Sequence, residues 1–166
     1  MRNEGQLRDD TAPGAIAAAE STSEDYVTMG IGGQTFGIPV LNVRDVLGPQ
    51  NITRVPLAPE EIAGSLNLRG RIVTAVNMRK RLGLPSENFV ATAMAVVVEH
   101  EDEPFSLLVD EVGEVLSLQS ARREAVPATL DARWRDVTQG IYRLDDRLLI
   151  VLGVADVLRT IRTDSI

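Results

Sequence analysis

No cysteine occurs in the 166 residues. That excludes disulfides and thiolate metal sites, and it removes the thiol from any nucleophilic scheme. There is a single histidine, His100, and it stands in the acidic stretch Glu99–Glu103. A polar run of that kind reads as an exposed hairpin turn, not as the setting of a general base. Aromatic residues make up only 4%, so Val, Leu and Ile must fill the interior. A surplus of basic charge is also missing: 17 Lys and Arg stand against 24 Asp and Glu, for a net charge of −7. Phosphate neutralisation needs the opposite balance, so the chain is a poor candidate for nucleic-acid binding. Long apolar runs are absent too, with nothing near the ~18–20 residues of a membrane-spanning helix. The run Ala15–Ala19 follows Asp9 and Asp10 and has no basic region beside it, so it does not read as a signal peptide.

Catalytic motifs are equally scarce. The sequence holds no G-x-S-x-G elbow, no H-E-x-x-H pair and no G-x-x-x-x-G-K-[ST] loop. Gly30, Gly32 and Gly33 precede the strand-like Gln34-Thr35-Phe36, whereas a phosphate-binding loop opens a helix; a hairpin turn is the better reading. Asp110 and Glu111 are adjacent, so on a strand their side chains point to opposite faces and form no acid–base dyad. The one marked basic cluster is Arg69, Arg71, Arg79, Lys80 and Arg81. It reads either as a solvated rim or as a recognition patch for carboxylates, for which the planar guanidinium fork is suited.

What is present is a hydrophobic content of 44%, enough for a proper core. Residues 1–24 are small and polar and are expected to form a disordered tail. From Tyr26 onward, short runs rich in Val and Ile alternate with Gly, Pro, Asn or Asp. Strands are expected at Tyr26–Ile31, Thr35–Val40, Arg71–Val76, Ala93–Val98, Phe105–Val109 and Leu148–Leu152. Gly32-Gly33 and Asp145-Asp146 suit hairpin turns. Short helices are expected at Pro59–Ala63, Met78–Leu82 and Val154–Ile161.

The chain also repeats itself. Phe36–Leu47 aligns with Phe105–Leu116 at an offset of 69 residues (36 to 105), with Phe36/Phe105, Val40/Val109, Val43/Val112, Val46/Val115 and Leu47/Leu116 identical. Gly64–Leu82 aligns with Gly140–Leu158 at an offset of 76 (64 to 140), with Gly64/Gly140, Leu68/Leu144, Arg71/Arg147 and Leu82/Leu158 identical. Two ordered blocks argue for a duplicated β unit of roughly 65–70 residues; such a unit buries too little surface to stand alone, so the two should share a core. The other reading of either block is a chance match between Val- and Leu-rich strands.

The segment Ile62-Ala63-Gly64-Ser65-Leu66-Asn67-Leu68-Arg69-Gly70-Arg71-Ile72-Val73, followed by Arg79-Lys80-Arg81-Leu82-Gly83-Leu84-Pro85, resembles the core signature of the CheW family. Phe36-Gly37-Ile38-Pro39-Val40, with Val43-Arg44-Asp45-Val46, resembles the family's first strand pair. Leu108-Val109-Asp110-Glu111-Val112-Gly113-Glu114-Val115 resembles its second-half signature. The resemblance runs from about Asp25 to Arg159. It implies a mainly β fold of two small SH3-like barrels sharing a hydrophobic core, with a few short helices. The expected units are a CheW-like domain over 25–162, a first barrel over roughly 26–88, a second over roughly 89–158, and a C-terminal helix over roughly 154–161.

The resemblance also implies a function: a non-enzymatic adaptor, with no cofactor or metal, coupling methyl-accepting chemoreceptors to the histidine kinase CheA. Its partners would be the kinase's regulatory domain and the cytoplasmic tip of the receptors, with no nucleic acid and no membrane insertion. Its place would be the cytoplasm, beside receptor arrays at the inner face of the membrane. The receptor-facing residues carried over are Val43, Asp45, Gly64 and Arg69. For the kinase contact the candidates are Val126, Leu130 and Ile141 beside the Pro127 turn, whose other reading is ordinary core. The sequence departs from the family at Thr74-Ala75-Val76-Asn77-Met78, where Pro-Val-x-Asp-Leu is common, and Asp45 stands where Glu is usual. Competing functions are a coupling protein of another pathway such as surface motility, an enzyme with a site in the groove between barrels, and a small nucleic-acid-binding barrel.

Overall fold

The computed structural model describes residues 22–164. Five strands and a helix occur twice in succession. The first set is β1 (Ser23–Ile31), β2 (Gln34–Pro39), β3 (Val43–Leu47), β4 (Ile62–Leu68), β5 (Arg71–Asn77) and α1 (Met78–Arg81). The second is β6 (Met94–His100), β7 (Glu103–Val109), β8 (Glu111–Gln119), β9 (Thr138–Arg143), β10 (Leu148–Leu152) and α3 (Val154–Asp164); α2 (Ala132–Val137) lies between β8 and β9. All six strands expected from the sequence are present within a few residues of their expected ends. The tail expected over 1–24 falls largely outside the described residues; within them, Ser23 and Glu24 already pair with Gln119 and Leu118 in β1 and β8.

The strands form two five-stranded sheets, ordered β8-β1-β2-β10-β9 and β3-β6-β7-β5-β4. Replacing each strand by its counterpart in the other half turns one order into the other. The registers obey the same rule. Val43 faces Val98 and Asp45 faces Val97; at an offset of 69, Met29 faces Val112 and Thr28 bonds Glu114. Ile62↔Val76 and Gly64↔Ala75 become Thr138↔Leu152 and Gly140↔Val151 at an offset of 76, with the bulge between them retained. The repeat is therefore a duplication at the level of the hydrogen-bond ladder.

One expectation is corrected here. The halves 26–88 and 89–158 are not two consecutive barrels. Each sheet takes two strands from one half and three from the other, joined through the parallel pairs β2–β10 and β5–β7. Local patterning carries no signal for this exchange, because the strands that join the halves, such as β7 and β10, are buried on both faces. In β10, Ile150 and Leu152 enter the core shared by both sheets, while Leu149 and Val151 point into a core private to the first sheet. Such strands read as unbroken apolar runs instead of alternating ones. The second sheet has its own private core around Leu66, Val73, Ala75, Phe89 and Leu108.

The helices seal the shared core. The Asn77 side chain accepts a hydrogen bond from the Lys80 backbone N–H (3.1 Å) and caps α1. Asn and Asp are comparable caps, which accounts for the departure at that position. Trp134 of α2 packs against Phe36 (5.3 Å between ring centroids) and donates Nε1–H to the Leu82 carbonyl (2.9 Å). The helix expected over Pro59–Ala63 is instead a single turn closed by Ile62 N–H to Pro59 O (2.9 Å), after which Ile62 begins β4. Glycine at 64, with φ +149°, suits the bulged strand better than a helix.

Candidate functional site

Asp45 lies on β3 and Arg69 at the tip of the β4–β5 hairpin. These strands are the two edges of the second sheet, and a hydrogen-bonded ion pair joins them: Arg69 Nη2 lies 3.1 Å from Asp45 Oδ2. A cleft of about 360 Å³ opens there, with Arg44, Glu99, Arg71 and Val97 also in its wall. Arg44 pairs with Glu99 at 2.7 Å.

Backbone chemistry places Arg69 at some cost. Arg69 (φ +52°) and Gly70 (φ +85°) form a two-residue turn with both residues left-handed, the geometry that matches strand twist in a tight hairpin. Glycine adopts it freely, whereas a side chain pays about 1 kcal/mol. The Arg69 side chain is 76% exposed, and exposed ion pairs contribute about 0–1 kcal/mol. Arg69 is thus strained, exposed and weakly paired, and adds little to stability.

The duplication supplies a twin cleft of about 430 Å³ in the first sheet. Gly113 and Glu114 stand where Arg44 and Asp45 do, Thr28 and Gly30 replace Val97 and Glu99, Arg147 corresponds to Arg71, and Asp145 takes the position of Arg69. Here the edge strand is held by the Thr28 hydroxyl donating to the Glu114 carbonyl (2.6 Å). Where the first cleft carries two cross-strand ion pairs, its twin carries carboxylates over a glycine floor.

The remaining candidates are dispersed. Val43 is half-buried on β3 and packs against the shared core. Gly64 is buried beneath Thr53, away from the hairpin tip. Val126 and Leu130 are half-buried in the segment before α2, and Leu130 leans on the shared core. Ile141 must be corrected: it is 1% exposed, inside that core, with its backbone bonded both ways to Glu124 (2.8 and 3.0 Å), so its side chain is not available to a partner.

The basic cluster also comes apart. Arg69 and Arg71 face the cleft. Arg79 makes a two-pronged bond to Asp110 (2.8 and 2.7 Å), Lys80 pairs with Glu60, and Arg81 donates to carbonyls of α3. Asp110 also accepts the Gly32 N–H (2.8 Å). The Arg79 guanidinium holds the Asp110 carboxyl below the usual carboxylate range, against the opposing pull of burial. Arg44 and Glu99 were not found by sequence reasoning. Arg44 fell within the aligned block 36–47 and Glu99 just beyond the expected strand Ala93–Val98, and no local signal marks a pair 55 positions apart (44 to 99).

Among the described residues no group of three or more His, Cys, Asp or Glu is placed to hold a metal ion, and no helix is long and apolar enough to cross a membrane. The exposed chemistry is a pair of charged clefts on a duplicated, SH3-like two-sheet scaffold, the form of a binding module. Comparison with known proteins narrows this class. The family model for the CheW-like domain matches residues 25–162, and the chain belongs to that family. It is 30% identical over 160 residues to the chemotaxis protein CheW of Helicobacter pylori, covering 93% of this chain and 96% of that one. It is 26% identical to CheW of Bacillus subtilis, covering 86% and 92%. Among solved structures, the scaffolding protein TtCheW from Thermoanaerobacter tengcongensis superposes with a TM-score of 0.72 at 27% identity, over 80% of this chain and 90% of that one. These relatives support a chemotaxis adaptor or scaffold role.

Proposed function

We propose that this chain is a non-enzymatic coupling protein of the cytoplasm that joins the tips of methyl-accepting chemoreceptors to the regulatory domain of the histidine kinase CheA. The observation that carries the reading is the Asp45–Arg69 cleft at the free edges of the second sheet, within a CheW-like domain spanning residues 25–162. Its ion pairs are exposed and contribute little to folding, so a partner can exchange them at small cost. Val43, Asp45, Gly64 and Arg69 serve the receptor side. Val126 and Leu130 serve the kinase side; Ile141, buried in the core, holds that segment through its backbone bonds to Glu124.

The test is calorimetry of the full chain against a soluble receptor fragment carrying the helical tip, and separately against the isolated regulatory domain of the kinase. The expected result is binding to each, additive in a ternary mixture. Val126→Glu should fold, since the position is half-buried, and lose only the kinase. Binding to neither partner, alongside tight binding of a labelled oligonucleotide at low salt, would replace this reading with that of a nucleic-acid-binding barrel.

A further inference from the structure

The second sheet closes its private core with a segment that belongs to neither sheet. Residues 85–92, between α1 and β6, lie in no strand or helix. Pro85, Glu87, Asn88, Ala91 and Thr92 are exposed. Phe89 is buried, and it stands among Leu66, Val73, Ala75 and Leu108. The segment bonds mainly to itself: the Phe89 N–H reaches Ser86 O (3.1 Å) and the Thr92 N–H reaches Phe89 O (3.2 Å). Both ends, by contrast, are anchored. Leu82 O accepts the Trp134 indole N–H (2.9 Å), the Leu84 N–H donates to Arg79 O (2.7 Å), and Ala93 is buried.

One side chain ties the segment to the rest of the fold. Arg79 donates Nη1–H to the Pro85 carbonyl (2.8 Å) and lies 5.3 Å from the Phe89 ring centroid. The same guanidinium is fixed by Asp110 through bonds of 2.8 and 2.7 Å. Asp110 stands where the chain leaves β7 of the second sheet for β8 of the first. Without that carboxylate the guanidinium is free to turn, and the segment loses both contacts at once. The core beneath also favours release. Ser106, beside Ala75 on β7, buries its hydroxyl with no hydrogen-bond partner among the described residues, and water admitted there would satisfy it.

The twin sheet is built otherwise. Its private core is filled by the strand residues Tyr26, Tyr142, Leu149 and Val151. Ala75 and Val151 are equivalent at the offset of 76 (75 to 151), and both are 0% exposed. We propose that residues 85–92 are a strap that opens as one unit while both sheets stay folded, and that the Arg79–Asp110 pair is its latch. Openings of this kind fall on segments with few buried contacts. Closed, the strap gives Val90 to the wall of a groove of about 510 Å³, beside Lys80 of α1. Open, that wall is lost and the private core of the second sheet meets water.

The chain has no cysteine, so a single introduced thiol reports its own exposure. The experiment reacts Ala75→Cys and Val151→Cys with dithionitrobenzoate over denaturant concentrations below the unfolding transition. Ala75→Cys should react roughly tenfold faster or more. Its rate should change little with denaturant, because the opening exposes little surface. Val151→Cys should react only through global unfolding, with the full denaturant slope. Ser106→Cys reports on the same core as Ala75→Cys and should behave like it; it carries the comparison if Ala75→Cys does not fold. Adding Asp110→Asn to either of these two should raise its rate by roughly tenfold or more, with the slope still shallow. A full denaturant slope at Ala75→Cys and Ser106→Cys would show that this core opens only with the whole domain, and would overturn the strap. A rate untouched by Asp110→Asn would overturn the latch.

Discussion

Where the first sheet places Tyr26, Gly37 and Leu149 on its private face, the second places Ala95, Ser106 and Val73. Tyr142 likewise stands opposite Leu66 in the duplicated register. The first sheet thus fills its private core with its own strands. Tyr26 and Tyr142 meet edge to face at 5.6 Å, with their hydroxyl oxygens 3.3 Å apart. Burial, and then the bond to Tyr142, push the Tyr26 hydroxyl well above the usual tyrosine range. The second sheet uses small strand residues and imports Phe89 from the connector between the halves. Its Ser106 hydroxyl is buried with no hydrogen-bond partner among the described residues. Backbone pairing and a few glycines hold the topology in both sheets, while the filling is free to differ so long as the volume is kept.

That contrast can be broken by transplanting one filling into the other sheet. Phe89→Ala should cost about 3–5 kcal/mol, the range for emptying an aromatic site, and Ala95→Tyr alone should destabilise by overpacking, about 1–3 kcal/mol. Combined, the new tyrosine enters the space the phenylalanine left. Denaturant unfolding of the double variant should then show a loss smaller than the sum of the two single losses. Strict additivity would mean that the two sites do not share a core.

A smaller effect belongs to the feature the halves do not share. At the same offsets Arg79 corresponds to Ala155 and Asp110 to Leu41, an 87% exposed leucine, so the Arg79–Asp110 clasp exists once. It ties α1 to the end of β7, to the Gly32 turn and to the connector, through the Pro85 carbonyl (2.8 Å) and the Phe89 ring (5.3 Å). The folded carboxyl of Asp110 is held below its unfolded value. Its stabilisation is therefore complete above the ordinary carboxylate range and is lost as pH falls through the lowered value. Asp110→Asn should cost about 2 kcal/mol at neutral pH. The gap between variant and parent should close in acid, read as a flatter pH dependence of the unfolding midpoint. A constant gap at all pH values would show that the charge does not contribute.

Much of this was legible in the residues. Gly64 and Gly140 match because each lies beneath a crossing backbone segment, and Phe36 and Phe105 match because both enter the shared core. Less legible were the edge strands β3 and β8. Their alternation of exposed and half-buried positions is short in one and interrupted by Gly113 in the other, which packs against Thr28. The exchange of strands between halves leaves no local trace, since strands buried on both faces look alike in either sheet. At the site, the Asn-Leu-Arg-Gly turn was visible as a turn. Its partner Asp45 came from the family resemblance, and the Arg44–Glu99 pair came only from the fold. The kinase-side reading went astray at Ile141, where proximity to the Pro127 turn hid a core position.

The central claim is that recognition resides in the cleft of the second sheet and not in its twin, although the two share one backbone plan. Charge reversal at the two corresponding hairpin positions tests it most directly. Arg69→Glu and Asp145→Lys both lie in hairpin turns, so both should melt close to the parent. In calorimetric titration with the receptor fragment, Arg69→Glu should weaken binding by at least tenfold and Asp145→Lys should leave it unchanged. Equal losses in the two variants, or a loss with Asp145→Lys alone, would contradict the assignment.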